Sequence, residues 1–174
     1  MLAPTALGLL AAVEAYYGGR GVDLPERRIP VPGAPGVVAW DCEQVTVCLG
    51  AVATPGTPSG GGGPITPQLG SVAGMGLVRL ATWAVCIVRC TPTMGDDGEP
   101  PPAEELGAAG LAMLDDVGLL SQCMSLLAGS PPGSYDWLPI GGTINAGSVT
   151  TLGPEGRFAA VEASVTISAM EALP

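Results

Sequence analysis

The residues of this chain best suited to chemistry are five cysteines and two adjacent pairs of carboxylates. The cysteines are Cys42, Cys48, Cys86, Cys90 and Cys123. A thiolate can attack an electrophile or bind a soft metal. No two of these cysteines have CxxC spacing, and the chain has no histidine. A zinc site would therefore need four of the thiolates, or carboxylates added to them. A cysteine nucleophile would lack an imidazole partner, and a serine nucleophile would lack its usual base. Cys42 lies between Asp41 and Glu43, a setting that raises a thiol pKa and lowers its reactivity. The expected role of all five is that of buried, reduced thiols packing as small hydrophobes, with assembly in a reducing compartment.

The carboxylate pairs are Asp96/Asp97 and Asp115/Asp116. Paired carboxylates can hold a divalent cation or share acid/base work. The first pair falls in a Gly/Pro loop and the second on a helix face, so solvated charge is the expectation for both. The glycine run at 60–63 looks like a phosphate loop but lacks the following Gly-Lys-Ser/Thr. No catalytic residue, cofactor or metal is expected, and the chain reads as a structural assembly subunit rather than an enzyme.

Charge narrows the partners. All six cations are arginines, namely Arg20, Arg27, Arg28, Arg79, Arg89 and Arg157, against sixteen carboxylates, for a net charge of −10. Duplex DNA is gripped through basic patches, and the one local basic cluster is Arg27-Arg28. Specific DNA binding is not expected, although an acidic surface would let DNA slide past without sticking. The start, Met1-Leu2-Ala3-Pro4, lacks the basic region of a signal peptide. No uninterrupted apolar run approaches the ~20 residues of a membrane span, so a membrane partner is not expected either.

The elements that must position these residues follow from periodicity. The 174 residues fit one domain. With 47% apolar residues and 4% aromatics, its core must be aliphatic. Residues 4 to 17 have a 3.6 period through Ala6, Leu10, Val13 and Tyr17, ended by Gly18-Gly19. This helix carries little charge, so it is expected to touch more than its own core. A proline-rich connector follows, with a short strand near Arg28 to Val31. Val37 to Val52 reads as a strand, and 53 to 75 as a flexible Gly/Pro arm. Leu77 to Thr91 is apolar on both faces, with Trp83, Val85 and Ile87 on one and Ala84, Cys86 and Val88 on the other. Such a strand is central, or is covered by helices on one side and a neighbouring subunit on the other.

An acidic loop at 92 to 102 launches a helix over about Ala103 to Ala128. Its stripe is Leu106, Met113, Val117, Leu120, Met124 and Leu127, with glycines at 107, 110 and 118 that suit close packing on a sheet. One or two short strands are expected within 137 to 152. Phe158 to Met170 alternates strictly, with Val161, Ala163, Val165, Ile167 and Ala169 facing the core. The order predicts an α+β fold, a mainly antiparallel sheet with two helices on one face and a long Gly/Pro-rich loop between two central strands.

Several features in this order resemble the tail terminator proteins of long-tailed phages, especially phages of actinobacterial hosts. They are the N-terminal helix ending in Tyr16-Tyr17, the Leu24-Pro25-Glu26-Arg27-Arg28 connector, and Asp41-Cys42-Glu43-Gln44 leading a strand. The long strand running into Thr91-Pro92-Thr93, the acidic loop with its helix, and Gly153-Pro154-Glu155-Gly156 before the closing strand complete the set. The resemblance covers most of the chain but not the glycine-rich stretch at 56 to 64.

It implies a virion protein, assembled in the host cytoplasm, that forms a homohexameric ring. Such a ring caps the major tail tube protein, ends its polymerisation and meets the head–tail connector or stopper, while DNA passes through the lumen. The ring contacts expected on this reading are Leu7, Tyr16, Tyr17, Arg27, Arg28, Gly62, Arg79, Trp83, Asp96 and Asp97. A head-closure protein of the same neck is the nearest alternative. A monomeric cellular binding module and a carboxylate hydrolase stand further off, distinguishable by oligomeric state and by divalent-cation titration.

Overall fold

The structure, a computed structural model, describes residues 2–32, 43–53 and 77–171. Two helices and five strands follow in the order α1 (Leu2–Gly18), β1 (Arg27–Pro32), β2 (Gln44–Ala53), β3 (Leu77–Cys90), α2 (Ala103–Gly129), β4 (Thr143–Glu155) and β5 (Phe158–Glu171). The sheet order is β1-β2-β3-β5-β4. β1 runs parallel to β2, and every other pair is antiparallel. This is the α+β arrangement that the element order predicts. The expected strand segment 37–42 and the Gly/Pro arm lie outside the described residues, apart from Ala53, which ends β2.

Both helices pack on one face. Leu9, Leu10, Val13 and Tyr17 of α1 join Leu120, Cys123, Met124 and Leu127 of α2 over Val45, Val47, Trp83, Val85, Ile87, Val161, Ala163, Val165 and Ile167. The strand positions are alternate residues, as a period of two requires. The core half of β5 is therefore the set its alternation predicts from Val161 to Ile167, while the side chain of Ala169 lies outside what the structure describes. β3 is buried on both faces: Ala84, Cys86 and Val88 are as inaccessible as Val85 and Ile87. β3 is the central strand of the five, as its two apolar faces lead one to expect.

β4 is one long strand rather than one or two short ones. Its pairing with β5 shifts register between Ala146 and Val149 and again between Leu152 and Glu155. Gly147 lies at the first shift, where an added Cβ would strike the Ser164 side chain. Gly156 and Arg157 close the β4–β5 hairpin, and Gly156 has φ +61, the positive φ a two-residue turn of the II′ kind needs at its first position.

The expected role of the α2 glycines is not met. A Cβ at Gly107, Gly110 or Gly118 would find nothing within 4 Å, so none of the three is there to let the sheet come close. The tight glycine is Gly8 of α1, where a Cβ would overlap the indole of Trp137. α2 is also long and apolar enough, by length and composition alone, to cross a membrane. Here its C-terminal half packs on the sheet, and Asp116 near its middle is ion-paired to β3.

Glu162 faces away from the helices, half-buried, with Cys86 and Thr150 as its cross-strand neighbours. Burial raises its carboxyl pKa. For an acid with a raised folded pKa, ionisation opposes folding. That cost is absent below the unfolded pKa and appears as pH rises through the folded value. Glu162→Gln is therefore expected to raise Tm at pH 7. The gain should shrink to nothing below pH about 4, where glutamate is protonated in both states. Thermal melts of both proteins across this range test it; a gain that does not change with pH would count against it.

Candidate functional site

The most elaborate polar cluster sits where β3 ends. Arg89, one residue before the strand's last, donates from Nε to Asp116 Oδ2 at 2.9 Å and from Nη2 to Asp116 Oδ1 at 3.2 Å. Its Nη1 donates to Glu43 Oε2 at 3.2 Å, and Nη2 also reaches the Asp23 carbonyl at 3.3 Å. Glu43 Oε1 accepts the Cys90 backbone N–H at 3.1 Å. Glu43 holds φ +59, a left-handed conformation unusual for a residue with a side chain, and it immediately precedes β2. The Tyr17 hydroxyl donates to the Asp116 carbonyl at 3.2 Å. One guanidinium thus ties β3 to α2, to the connector before β1 and to the residue that leads into β2, and Tyr17 adds α1 through the Asp116 backbone.

Electrostatics follow from that geometry. Burial alone would lower the Arg89 pKa, but hydrogen bonding and charge from Asp116, then from Glu43, outweigh it and raise it. The group stays cationic. Burial, then the Asp116 charge, drives the Tyr17 phenol upward, so it stays neutral. A bidentate guanidinium–carboxylate pair with all three guanidinium nitrogens engaged is built to hold position. Asp116 is 1% exposed, so the expectation of a solvated Asp115/Asp116 pair is corrected at Asp116 and holds for exposed Asp115. The helix turn explains the difference: position 116 lies in register with Leu120, Cys123 and Leu127, whereas 115 points outward.

The thiols divide in two. Cys48, Cys86 and Cys123 are free and buried. Burial raises the Cys48 thiol pKa and pushes Cys86 up to about 12 and Cys123 up to about 11, which suppresses the reactive thiolate. These three match the expected small hydrophobes. Cys90 does not: it is disulfide-bonded, exposed at the end of β3, and its partner lies outside the described residues. The expectation of five reduced thiols is corrected at Cys90. Spacing gave no sign of it, because the cysteine nearest in sequence, Cys86, is free and buried. Among the described residues no group of three His, Cys, Asp or Glu side chains is placed to hold a metal.

The expected contact residues scatter. Leu7 is 58% exposed on α1. Tyr16 is half-buried, with its hydroxyl on Gln122 Oε1 at 2.9 Å, and Arg20 lies over its ring at 5.3 Å. Arg27 and Arg28 are exposed on β1, and Arg28 is paired with Glu14 at 2.6 Å. Arg79 is exposed near the start of β3, and Asp96 and Asp97 are exposed in the loop before α2. Asp97 Oδ1 accepts the Glu99 N–H at 3.2 Å, which shapes that loop locally. Tyr17 and Trp83 are corrections: at 0% and 3% exposure both are core residues of this chain and present no surface to a neighbour. Gly62 lies outside the described residues. Of these residues Arg28 is tied across from β1 to α1, through Glu14, while Tyr16 turns the other way, toward Gln122 of α2.

Two surface features complete the inventory. A cleft of about 310 Å³ opens between the end of α2 and the start of β4, lined by Leu127, Ser130, Pro131, Tyr135, Thr143 and Asn145 among others. It contains no ionisable group besides the Tyr135 phenol, whose hydroxyl is 2.9 Å from Ser130 Oγ. The second feature is the N-terminal half of α2. Leu106, Leu111 and Leu114 are 49%, 65% and 66% exposed, and only Ala109 and Met113 are partly covered between 103 and 115. Leu106 thus departs from its expected place in the core stripe. The segment is a spur, about 20 Å long at 1.5 Å per residue, that begins where the Arg89–Asp116 pair ends the helix's hold on the sheet. Sequence reading missed both the Arg89–Asp116 pair and the spur. The available signal was a carboxylate at the spacing of the apolar stripe.

No protein-family model matches the chain, and no curated protein is significantly similar to it.

Proposed function

We propose that this protein is a structural subunit of a phage tail, a terminator that forms a ring on the end of the tail tube, stops its growth and joins it to the head connector. The observation that carries the reading is the spur. Beside its exposed Glu104, Glu105 and Asp115 the spur leaves Leu106, Leu111 and Leu114 uncovered, and large exposed apolar patches mark interaction surfaces. The side chains with chemical potential support the same reading, since Arg89, Asp116 and Glu43 are spent on one another and the free thiols are held protonated. The two helices on an antiparallel sheet support a terminator over a head-closure protein, which would be barrel-like with less helix. The test is to add the purified protein to polymerising tail-tube subunits and to measure tube lengths by electron microscopy. Short tubes carrying a ring at one end are expected; unchanged lengths with bare ends overturn the reading.

A further inference from the structure

The covalent bond at the end of β3 has a partner that can be identified. Cys90 is disulfide-bonded, and Cys48, Cys86 and Cys123 are free. Of the five cysteines this leaves Cys42, which lies just before the described segment that begins at Glu43. Register agrees. Gln44 faces Val88 and Val45 faces Ile87 in the antiparallel β2–β3 pair. Counting on two residues from Gln44 and from Val88 reaches Cys42 and Cys90. Directly opposed residues have Cα atoms about 4.5–5.5 Å apart, within the span that a disulfide bridges. Glu43 shows that the two segments meet at this level, because its Oε1 accepts the Cys90 N–H at 3.1 Å.

We infer that Cys90 is joined to Cys42 and that this bond is a redox-operated clasp on the Glu43–Arg89–Asp116 cluster. Closed, it holds the residue before Glu43 to the residue after Arg89, so that the Glu43 carboxylate spans the Cys90 amide and the Arg89 guanidinium. Open, nothing covalent offsets the cost of the left-handed backbone at Glu43, and the start of β2 loosens from the end of β3. Arg89 keeps Asp116 in both states, so α2 stays on the sheet.

The chemistry is thiol–disulfide exchange with a small-molecule disulfide. One cysteine thiolate attacks a sulfur of that reagent and expels a thiolate. The second cysteine attacks the resulting mixed disulfide, forms the Cys42–Cys90 bond and expels the second thiolate. The two protein thiols are oxidised, the reagent is reduced to two thiols, and the two protons pass to the leaving groups. An excess of a small thiol runs the exchange backwards. Position suits it. Cys90 is exposed, so a reagent can reach it. The nearest thiol in sequence, Cys86, is buried and held protonated, which keeps the bond from passing to it. A chain made in a reducing cytoplasm carries both thiols until it meets an oxidant.

The test joins peptide mapping without reductant to thermal melts. After equilibration with oxidised glutathione and alkylation in denaturant, a peptide pair linked through Cys42 and Cys90 is expected, with Cys48, Cys86 and Cys123 alkylated. Dithiothreitol added to the native protein should release two thiols and lower Tm by about 10 °C, because the bond closes a long loop from 42 to 90. Amide exchange at Cys90 should quicken on reduction, while exchange at Val85 and Val165 stays as it was. Cys90→Ser and Cys42→Ser should each melt with reduced wild type, whether or not reductant is present. Cys90 recovered alkylated from the oxidised sample, or linked to any cysteine but Cys42, overturns the pairing. A linked pair that dithiothreitol does not open in the native protein, or whose opening leaves Tm and Cys90 exchange unchanged, overturns the clasp.

Discussion

Asp116→Ala should cost about 3–5 kcal/mol, the range for removing one partner of a buried ion pair, and lower Tm by about 10 °C in a chain of this size. Arg89 would keep Glu43 and the Asp23 carbonyl, but its two shortest-range acceptor contacts to a buried carboxylate would go. The wild-type stability of a domain is about 5–15 kcal/mol, so this loss is a large share of it. The attachment between α1, β3 and α2 should loosen together, because Tyr17 donates to the backbone of the same residue. The pair Arg89→Met with Asp116→Leu should recover most of the loss, since an apolar replacement leaves no buried charge unpaired. Denaturant melts of the two single variants and the double variant form the cycle. A coupling energy near zero would mean the pair is decorative.

Gly8→Ala is the second large effect. Alanine improves helix propensity by about 1 kcal/mol, so on local grounds the substitution stabilises. The added methyl, however, would overlap Cβ, Cγ and Cδ2 of Trp137, atoms near the root of the side chain that cannot swing clear without moving the backbone. Overpacking of this kind costs about 1–3 kcal/mol. The expected outcome is a net loss of about 2 kcal/mol, with a red-shifted tryptophan emission as the indole leaves its seat beside Tyr135, where the ring centroids are 5.2 Å apart. Trp137→Ala should abolish the penalty, so Gly8→Ala in that background would raise Tm. A stabilised Gly8→Ala single variant would contradict the packing.

The strongly periodic elements were legible in the sequence. β5 alternates from Val161 to Ile167 without interruption, and the buried half of α2 repeats Leu120, Met124 and Leu127 at helical spacing. Where reading fell short, a local rule was overridden by a distant partner. β1 is an exception: despite Pro30 and Pro32, the short strand expected near Arg28 to Val31 is present, paired with β2. One or two short strands are expected within 137 to 152, whereas β4 runs unbroken over Thr143–Glu155 and takes up its irregularities as register shifts against β5. Asp116 lies at an apolar spacing and is a core position only because Arg89, 27 residues earlier, reaches it. The spur was invisible for the opposite reason. Leu106 and Met113 continue the stripe past the end of the sheet, and periodicity cannot tell where the surface beneath a helix runs out.

The prolines of β1 bear on solubility during synthesis. A flat, apolar sheet margin is a template onto which other chains can add and grow into fibres. Here β1 is the outermost strand on its side, and two of its six residues, Pro30 and Pro32, have no amide proton to offer an incoming backbone. The opposite margin, β4, is irregular at two places. A chain with positive mean hydropathy and no lysine to guard its edges is thereby kept from amyloid-like stacking by imino acids and bulges, and any higher-order growth is left to side-chain surfaces that can be closed off once a defined number of copies has joined.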